Sequence, residues 1–222
     1  MPKPPVVDAF NRDVASNEGY LYTRNARLSS ALANRRLTKA ILSSTDFRGK
    51  SVLDVGCGDG TYTMELYERG KPSRVHGVDH AEQAVKSAQG RSTSAAVTFE
   101  VCSAESLTMA DGSFDIAHLR GVLHHLDRPF AALREAMRVA RTVVVMEPNG
   151  YNPVLKLLER VSRYHIEHQE RSFFPTMFHR WARELGGTVR SPVFIGLVPF
   201  FCSDPMARVL SAIEPTAERI PG

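Results

Sequence analysis

Val52-Leu53-Asp54-Val55-Gly56-Cys57-Gly58-Asp59-Gly60 is a short apolar strand running into a glycine-rich turn, and a second acid, Asp79, closes the next apolar stretch, Arg74-Val75-His76-Gly77-Val78. A turn this dense in glycine lets the backbone take conformations that a Cβ forbids, and a helix over residues 61–69 opens directly behind it. The arrangement is that of a cradle for a nucleotide-type cofactor. A dinucleotide site reads G-x-G-x-x-G and needs a third glycine at position 61, where this chain has Thr61. The chain reads G-x-G-x-G instead. Asp54, two residues before the first glycine, would repel a pyrophosphate and suits a cofactor that carries a cationic group. The alternative is a tight strand-to-helix turn without a ligand, which leaves both acids unexplained.

Composition narrows the class. With 222 residues, 43% hydrophobic and 23% charged, the chain fits one α/β domain with ample core. The formal charge of +4 is mildly basic, but Lys and Arg are scattered among acids and no basic run is interleaved with aromatics, so nucleic acid is not expected as a partner. Cys57, Cys102 and Cys202 are odd in number and far apart, without a C-x-x-C pair. Neither a disulfide framework nor a zinc site is expected, and the reading is a reducing, cytoplasmic protein. The start of the chain has no signal-peptide pattern, and no apolar run approaches the length of a membrane span, so no membrane is expected either.

Around the glycine turn the periodicity alternates between strand and helix. Leu28, Leu32, Ala33, Leu37, Ile41 and Leu42 recur at helical spacing ahead of the first strand, residues 51–55. Strands are predicted over residues 74–78, 97–101, 114–118 and 142–146, with helices over 81–89 and 129–139. This predicts a doubly wound, mostly parallel sheet with its ligand at the carboxyl ends of the strands. We read a single domain over 1–222, with a helical cap at 1–47 and a lid insertion at 147–175. Helices are also expected at 154–161, 175–185 and 204–220, and a strand-like stretch within 188–201.

The glycine turn with its two acids resembles motif I of the class I S-adenosylmethionine-dependent methyltransferases. Asp111-Gly112-Ser113-Phe114-Asp115-Ile116-Ala117-His118-Leu119-Arg120-Gly121-Val122-Leu123-His124-His125-Leu126 is similar to the fourth-strand motif of small-molecule members related to the ubiquinone-biosynthesis type. The resemblance implies a Rossmann-like fold and S-adenosylmethionine as cofactor. It places Asp54 near the methionine amino group, with Gly56, Cys57, Gly58 and Gly60 forming the turn beside it. Asp79, with His80 next to it, takes the ribose hydroxyls. Ser103-Ala104-Glu105 falls where the family has an acid followed by Ala at the adenine; Ser103 replaces that acid, leaving Ser103, Glu105 or backbone oxygen as acceptor. Arg120-Gly121-Val122 runs past the methionine part, and an N-terminal side chain, Arg24 or Arg27, meets its carboxylate; an ordinary polar helix face is the alternative. Family members also close the sheet with an antiparallel hairpin, for which this chain offers one candidate strand. We therefore expect the last antiparallel strand to be missing, with a homodimer covering that edge or a chain that ends before it.

Methyl transfer requires a proton to leave the acceptor, and histidine titrates in the right range. His124 and His125 follow the fourth strand, and one of them is the candidate base; the alternative is that the pair packs and caps the turn. His165 and His168 in the lid lack a third ligand, so no metal is expected and a substrate-contacting or solvated face is preferred. Phe173, Phe174, Phe178 and Trp181 are either an apolar pocket lining or core. The leading function is methyl transfer to a small-molecule acceptor in secondary metabolism, with oxygen favoured over nitrogen or carbon. The alternatives are an NAD(P)-dependent oxidoreductase, which Thr61 and Asp54 disfavour, and a non-catalytic methyltransferase-like partner subunit.

Overall fold

The protein is described by a computed structural model that covers residue 23 and residues 27–162, 171–190, 192–200 and 202–218. Arg24, His165 and His168 lie outside the described residues. Five strands form one sheet: β1 (Ser51–Val55), β2 (Arg74–Asp79), β3 (Val97–Val101), β4 (Phe114–Arg120) and β5 (Ala140–Met146). All neighbours are parallel, in the order β3-β2-β1-β4-β5. The order reverses between β1 and β4, which opens a crevice at their carboxyl ends.

Alternation along the strands feeds two cores. Val52, Val75 and Ile116 face Ile41, Phe47, Leu66, Val85 and Ala88. These belong to or adjoin α1 (Leu28–Ser44), α2 (Thr61–Gly70) and α3 (Glu82–Arg91). Leu53, Val55, Val78, Ala117 and Leu119 face the opposite layer, against Ala132, Ala136 and Val139 of α4 (Pro129–Val139). Both faces are covered, which is why the central strands read as near-continuous apolar runs. α4 starts on Pro129, whose missing N–H costs nothing at a first helical position, and it buries Ala132, Leu133, Ala136 and Val139 along one stripe.

The first helix departs from its apolar pattern. Ala33 and Ile41 are buried, but so are Ser29, Ser30, Asn34 and Thr38, whereas Leu28, Leu32, Leu37 and Leu42 are half-buried. The polar groups on the inner side are matched. Ser29 and Ser30 donate to the carbonyl of Phe200, and Thr38 donates to Glu65 of α2 at 2.9 Å.

Beyond β5 come α5 (Pro153–Val161), α6 (Pro175–Glu184) and α7 (Asp204–Ala217). The loop after β5 is pinned to the segment before α6: Gly150 N–H donates to the Phe173 carbonyl, and Lys156 reaches the Ser172 carbonyl. The expected strand within 188–201 is not formed among the described residues. Pro192 and Pro199 have no N–H to give a ladder, and Gly196 sits at φ 92°. The N–H groups of Gly196 and Leu197 go to the carboxylates of Glu218 and Glu214 instead. β5 is accordingly an edge of the sheet among the described residues.

Two glycines allow a direct test of the packing. A Cβ on Gly77 of β2 would lie 2.6 Å from Phe99 and 3.0 Å from Cys57, whereas one on Gly90 in α3 meets nothing within 4 Å. Gly77→Ala is expected to destabilise by about 1–3 kcal/mol through overpacking, and Gly90→Ala to stabilise by about 0.5–1 kcal/mol through backbone entropy. Denaturant midpoints check both; a Gly77→Ala variant as stable as the parent would contradict the packing described.

Candidate active site

The cradle is built by backbone that only glycine takes easily. Gly56, Gly58 and Gly60 have φ of 75°, 55° and 78°. Gly56 and Cys57 donate to the Val78 carbonyl, tying the turn to the end of β2. A Cβ on Gly56 would lie 2.5 Å from Val122, and one on Gly60 2.8 Å from the Ala88 Cβ. The turn is thus wedged between α3 and the loop after β4, and a side chain at either position is excluded twice, by φ and by space.

Asp79 locks the turn from the β2 side. Its Oδ2 accepts from Gly58 N–H at 2.9 Å and its Oδ1 from Ala81 N–H at 2.8 Å. The protein packed around this carboxyl strips its solvation and pushes its pKa up, against the pull of those two N–H groups. Each oxygen retains a further lone pair for an external donor. The Cys57 thiol is pushed well above its ordinary range, by burial first and then by Asp79 and Asp54. It is an inert wall residue rather than a nucleophile.

Asp54, 3% exposed, lies on the α1/α2 side of β1. Thr63 Oγ1 donates to its Oδ2 at 2.5 Å, and His118 Nδ1 stands 2.8 Å from its Oδ1. Asp59 in the turn is also buried, capping Thr61 N–H and accepting from Thr23.

After β4, Gly121 turns the chain at φ 65° into a short 3-10 turn, Leu123–His125. Glu147, just past β5, organises this loop. Its Oε1 accepts from the N–H groups of Val122 and Leu123 at 2.9 and 2.8 Å, and its Oε2 is 2.6 Å from His124 Nδ1. A carboxylate that accepts two backbone donors requires Nδ1 to be the donor, which makes Nε2 the basic nitrogen of His124. His124 is buried and His125 half-buried, their rings 3.8 Å apart between centroids. The two adjacent histidines therefore differ in role: Glu147 orients the first.

The remaining expected residues divide. Cys102 N–H donates to the Asp79 carbonyl, so Ser103 follows directly after a residue bonded to Asp79. Ala104 is a core residue, and Ser103 Oγ accepts from Glu105 N–H at 3.3 Å. Glu105 binds Arg128 through its backbone N–H and guanidinium, both at 2.8 Å, fastening the loop after β3 to the start of α4. His80 is exposed. The Arg120 guanidinium turns away from the loop, bonding Thr38 and Asn34 of α1 and lying 3.6 Å over the Tyr62 ring. Arg27 is exposed at the N-terminus of α1. Phe173, Phe178 and Trp181 pack edge to face with one another, and Trp181 also packs on Phe130; Phe174 is exposed against Tyr151. Glu147, Thr63 and His118 are additions from the structure. Glu147 carries a legible signal, an acid at the carboxyl end of the fifth strand in the layer of Asp79.

A glycine turn, a carboxylate at the end of the adjacent strand and a histidine loop meet at the switch point of an α/β sheet, the place where such sheets bind ligands. Residues 53–144 match the methyltransferase domain family. The ubiquinone biosynthesis O-methyltransferase of Neisseria meningitidis is 33% identical over 43% of this chain and 42% of its own length. The 27-O-demethylrifamycin SV methyltransferase of Amycolatopsis mediterranei is 31% identical over 56% of this chain and 47% of its own length. The chain therefore spans less than half the length of these two relatives. In fold it is similar to a SAM-dependent methyltransferase from Thermotoga maritima, described as a possible histamine N-methyltransferase, with a TM-score of 0.63, 21% identity and coverage of 82% of this chain and 80% of that one. The matched domain, these relatives and the fold support a class I S-adenosylmethionine-dependent methyltransferase. Among the described residues no helix is long and apolar enough to cross a membrane.

The raised pKa of Asp79 has a measurable consequence. Between its ordinary value of 3.8 and its higher folded value, the folded state binds more protons than the unfolded one, so this group's contribution to stability falls as pH rises. Asp79→Asn lacks that titration. Its stability relative to the parent is expected to improve as pH rises from 4 upward and then to level off, read from denaturant melts across pH. A difference that shrinks with rising pH would contradict the assignment.

Proposed function

We propose that the protein transfers a methyl group from S-adenosylmethionine to an oxygen of a small-molecule acceptor, with His124 as general base held by Glu147. The observation that carries this reading is the contact between Val122 and Gly56, which sets the histidine loop against the cofactor turn. Binding and base are then parts of one crevice.

The residues fit the cofactor chemically. The left-handed glycines carry no side chain that could block a ligand at the turn, Asp79 offers a carboxylate to the ribose hydroxyls, and Asp54 offers one to an ammonium. The bound cofactor supplies an activated methyl on a sulfonium. Everything else falls to the chain: hold the acceptor in line, exclude water and take its proton. Positioning of two reactants supplies on the order of 7–11 kcal/mol of such a barrier, and a base adds about 10²–10⁴-fold. His124 is suited to the second task because Glu147 fixes its tautomer and balances the imidazolium that forms.

Oxygen as the accepting atom is supported by the name of the Neisseria relative, and a secondary metabolite as acceptor by that of the Amycolatopsis relative. A cytoplasmic location is supported by three free cysteines, Cys57, Cys102 and Cys202.

Two experiments test the proposal. In calorimetric titration with S-adenosylhomocysteine, Asp79→Ala is expected to lose far more affinity than Ser103→Ala, since charge-assisted bonds are worth about 1.5–3 kcal/mol each against about 1 for a neutral one. Equal losses would remove the ribose assignment. With methyl-labelled cofactor and a panel of phenols and hydroxylated polyketides, His124→Asn is expected to lower turnover about 10²–10⁴-fold while binding S-adenosylhomocysteine as the parent does. Full turnover in that variant would show that the base lies elsewhere.

A further inference from the structure

One buried polar group has no part in the chemistry above. His118 lies within β4, 1% exposed, directly opposite Asp54 in the parallel register of β1 and β4. Its Nδ1 is 2.8 Å from Asp54 Oδ1. Its other ring nitrogen, Nε2, is buried with no hydrogen-bond partner among the described residues. A ring that only filled this space would better be apolar, because an unmatched buried polar atom is a net cost.

We propose that His118 is a positioning residue for the cofactor: it orients the Asp54 carboxylate for the cationic amino group of the cofactor's methionine part. This rests on the methyl-transfer reading above. An ionised carboxylate has no proton to give, so Nδ1 must donate, and the Nδ1–H tautomer leaves Nε2 a bare nitrogen. The unpartnered surroundings of Nε2 agree with that form, since a proton there would have no acceptor. A doubly protonated ring would also set a cation against Asp54 and cancel the charge that attracts an ammonium.

The second donor, Thr63 Oγ1, holds the other oxygen at 2.5 Å from the first turn of α2. With one donor on each oxygen the carboxylate cannot rotate freely, and each oxygen keeps a lone pair for a further donor. The nearest guanidinium along the strand, that of Arg120, is committed to Thr38, Asn34 and the Tyr62 ring rather than to Asp54. His118 and Thr63 are thus the groups that set the geometry of this acid.

The test compares S-adenosylhomocysteine with adenosine, which lacks the amino-acid part, as calorimetric probes of the parent, His118→Asn and His118→Leu. Thermal melts establish that each variant is folded. Asn keeps an N–H donor near the position of Nδ1, and Leu removes it at similar volume. In His118→Leu the dissociation constant for S-adenosylhomocysteine is expected to rise about 10-fold or more, as for loss of one charge-assisted bond. In His118→Asn the rise should stay under about 3-fold, and adenosine affinity should hold within about 2-fold in both variants.

Nitrogen-15 spectra of the parent should show His118 protonated at Nδ1 only, a readout that needs no substitution and decides the matter if His118→Leu fails to fold. Equal weakening of both probes would mean a merely structural role, and unchanged affinity in folded His118→Leu, or a proton on Nε2 in the parent, would overturn the proposal. A parent that binds adenosine but not S-adenosylhomocysteine would remove the positioning claim. One that binds neither would remove the cofactor reading with it.

Discussion

The hydrogen bond from Gly58 N–H to the Asp79 carboxylate is the constraint on which the strand ends depend. It joins the first loop of the fold to the second strand and holds a backbone conformation that no other residue type takes cheaply. Once the turn is fixed, its flanks are fixed too. Val122 rests on Gly56, and Ala88 rests on Gly60, so the loop after β4 and the helix after β2 are both registered against it. The register then passes through Val122 and Leu123 to Glu147 and from there to His124. Glycine turn and histidine loop are one mechanical unit.

Acids set the character of this unit. Asp54, Asp59 and Asp79 cluster around one turn, and the protein supplies each with donors of its own: Thr63 and His118, Thr23 and Thr61 N–H, Gly58 and Ala81 N–H. Desolvation still wins at Asp79, whose pKa is raised despite two N–H bonds. A site that holds negative charge at a net cost is one whose stability improves when donors or a cation arrive. The upward push on Cys57 comes from burial first and then from the same acids, and it explains how a thiol sits in the glycine turn without being reactive.

Much of this was legible in the residues, and the parts that were not have physical reasons. The parallel sheet and the turn follow from apolar runs punctuated by glycine, signals that depend on backbone alone; β1 and β3 fall on their predicted boundaries. The first helix misled in detail. Its inner stripe includes Ser29, Ser30, Asn34 and Thr38, because its partners there are the Phe200 carbonyl, Glu65 and Arg120 rather than apolar side chains. Residues 188–200 carry strand-like composition, but the carboxylates of Glu214 and Glu218, contributed from the last helix, take their N–H groups. The side chains of Glu105 and Arg120 bond Arg128 at the start of α4 and Thr38 of α1, contacts that order along the chain does not specify. The pairings of Glu147 with His124 and of His118 with Asp54 join residues 23 and 64 positions apart, and only the sheet register brings them together.

The central claim is that this turn is built for a cofactor with a cationic amino-acid part and not for a dinucleotide. Thermal unfolding of the parent protein in the presence of S-adenosylhomocysteine or of NADH tests it most directly, because a ligand of the native state raises the melting temperature with the logarithm of its concentration relative to its dissociation constant. The account predicts a concentration-dependent rise with S-adenosylhomocysteine and none with NADH at the same concentrations. A rise with NADH alone would contradict it.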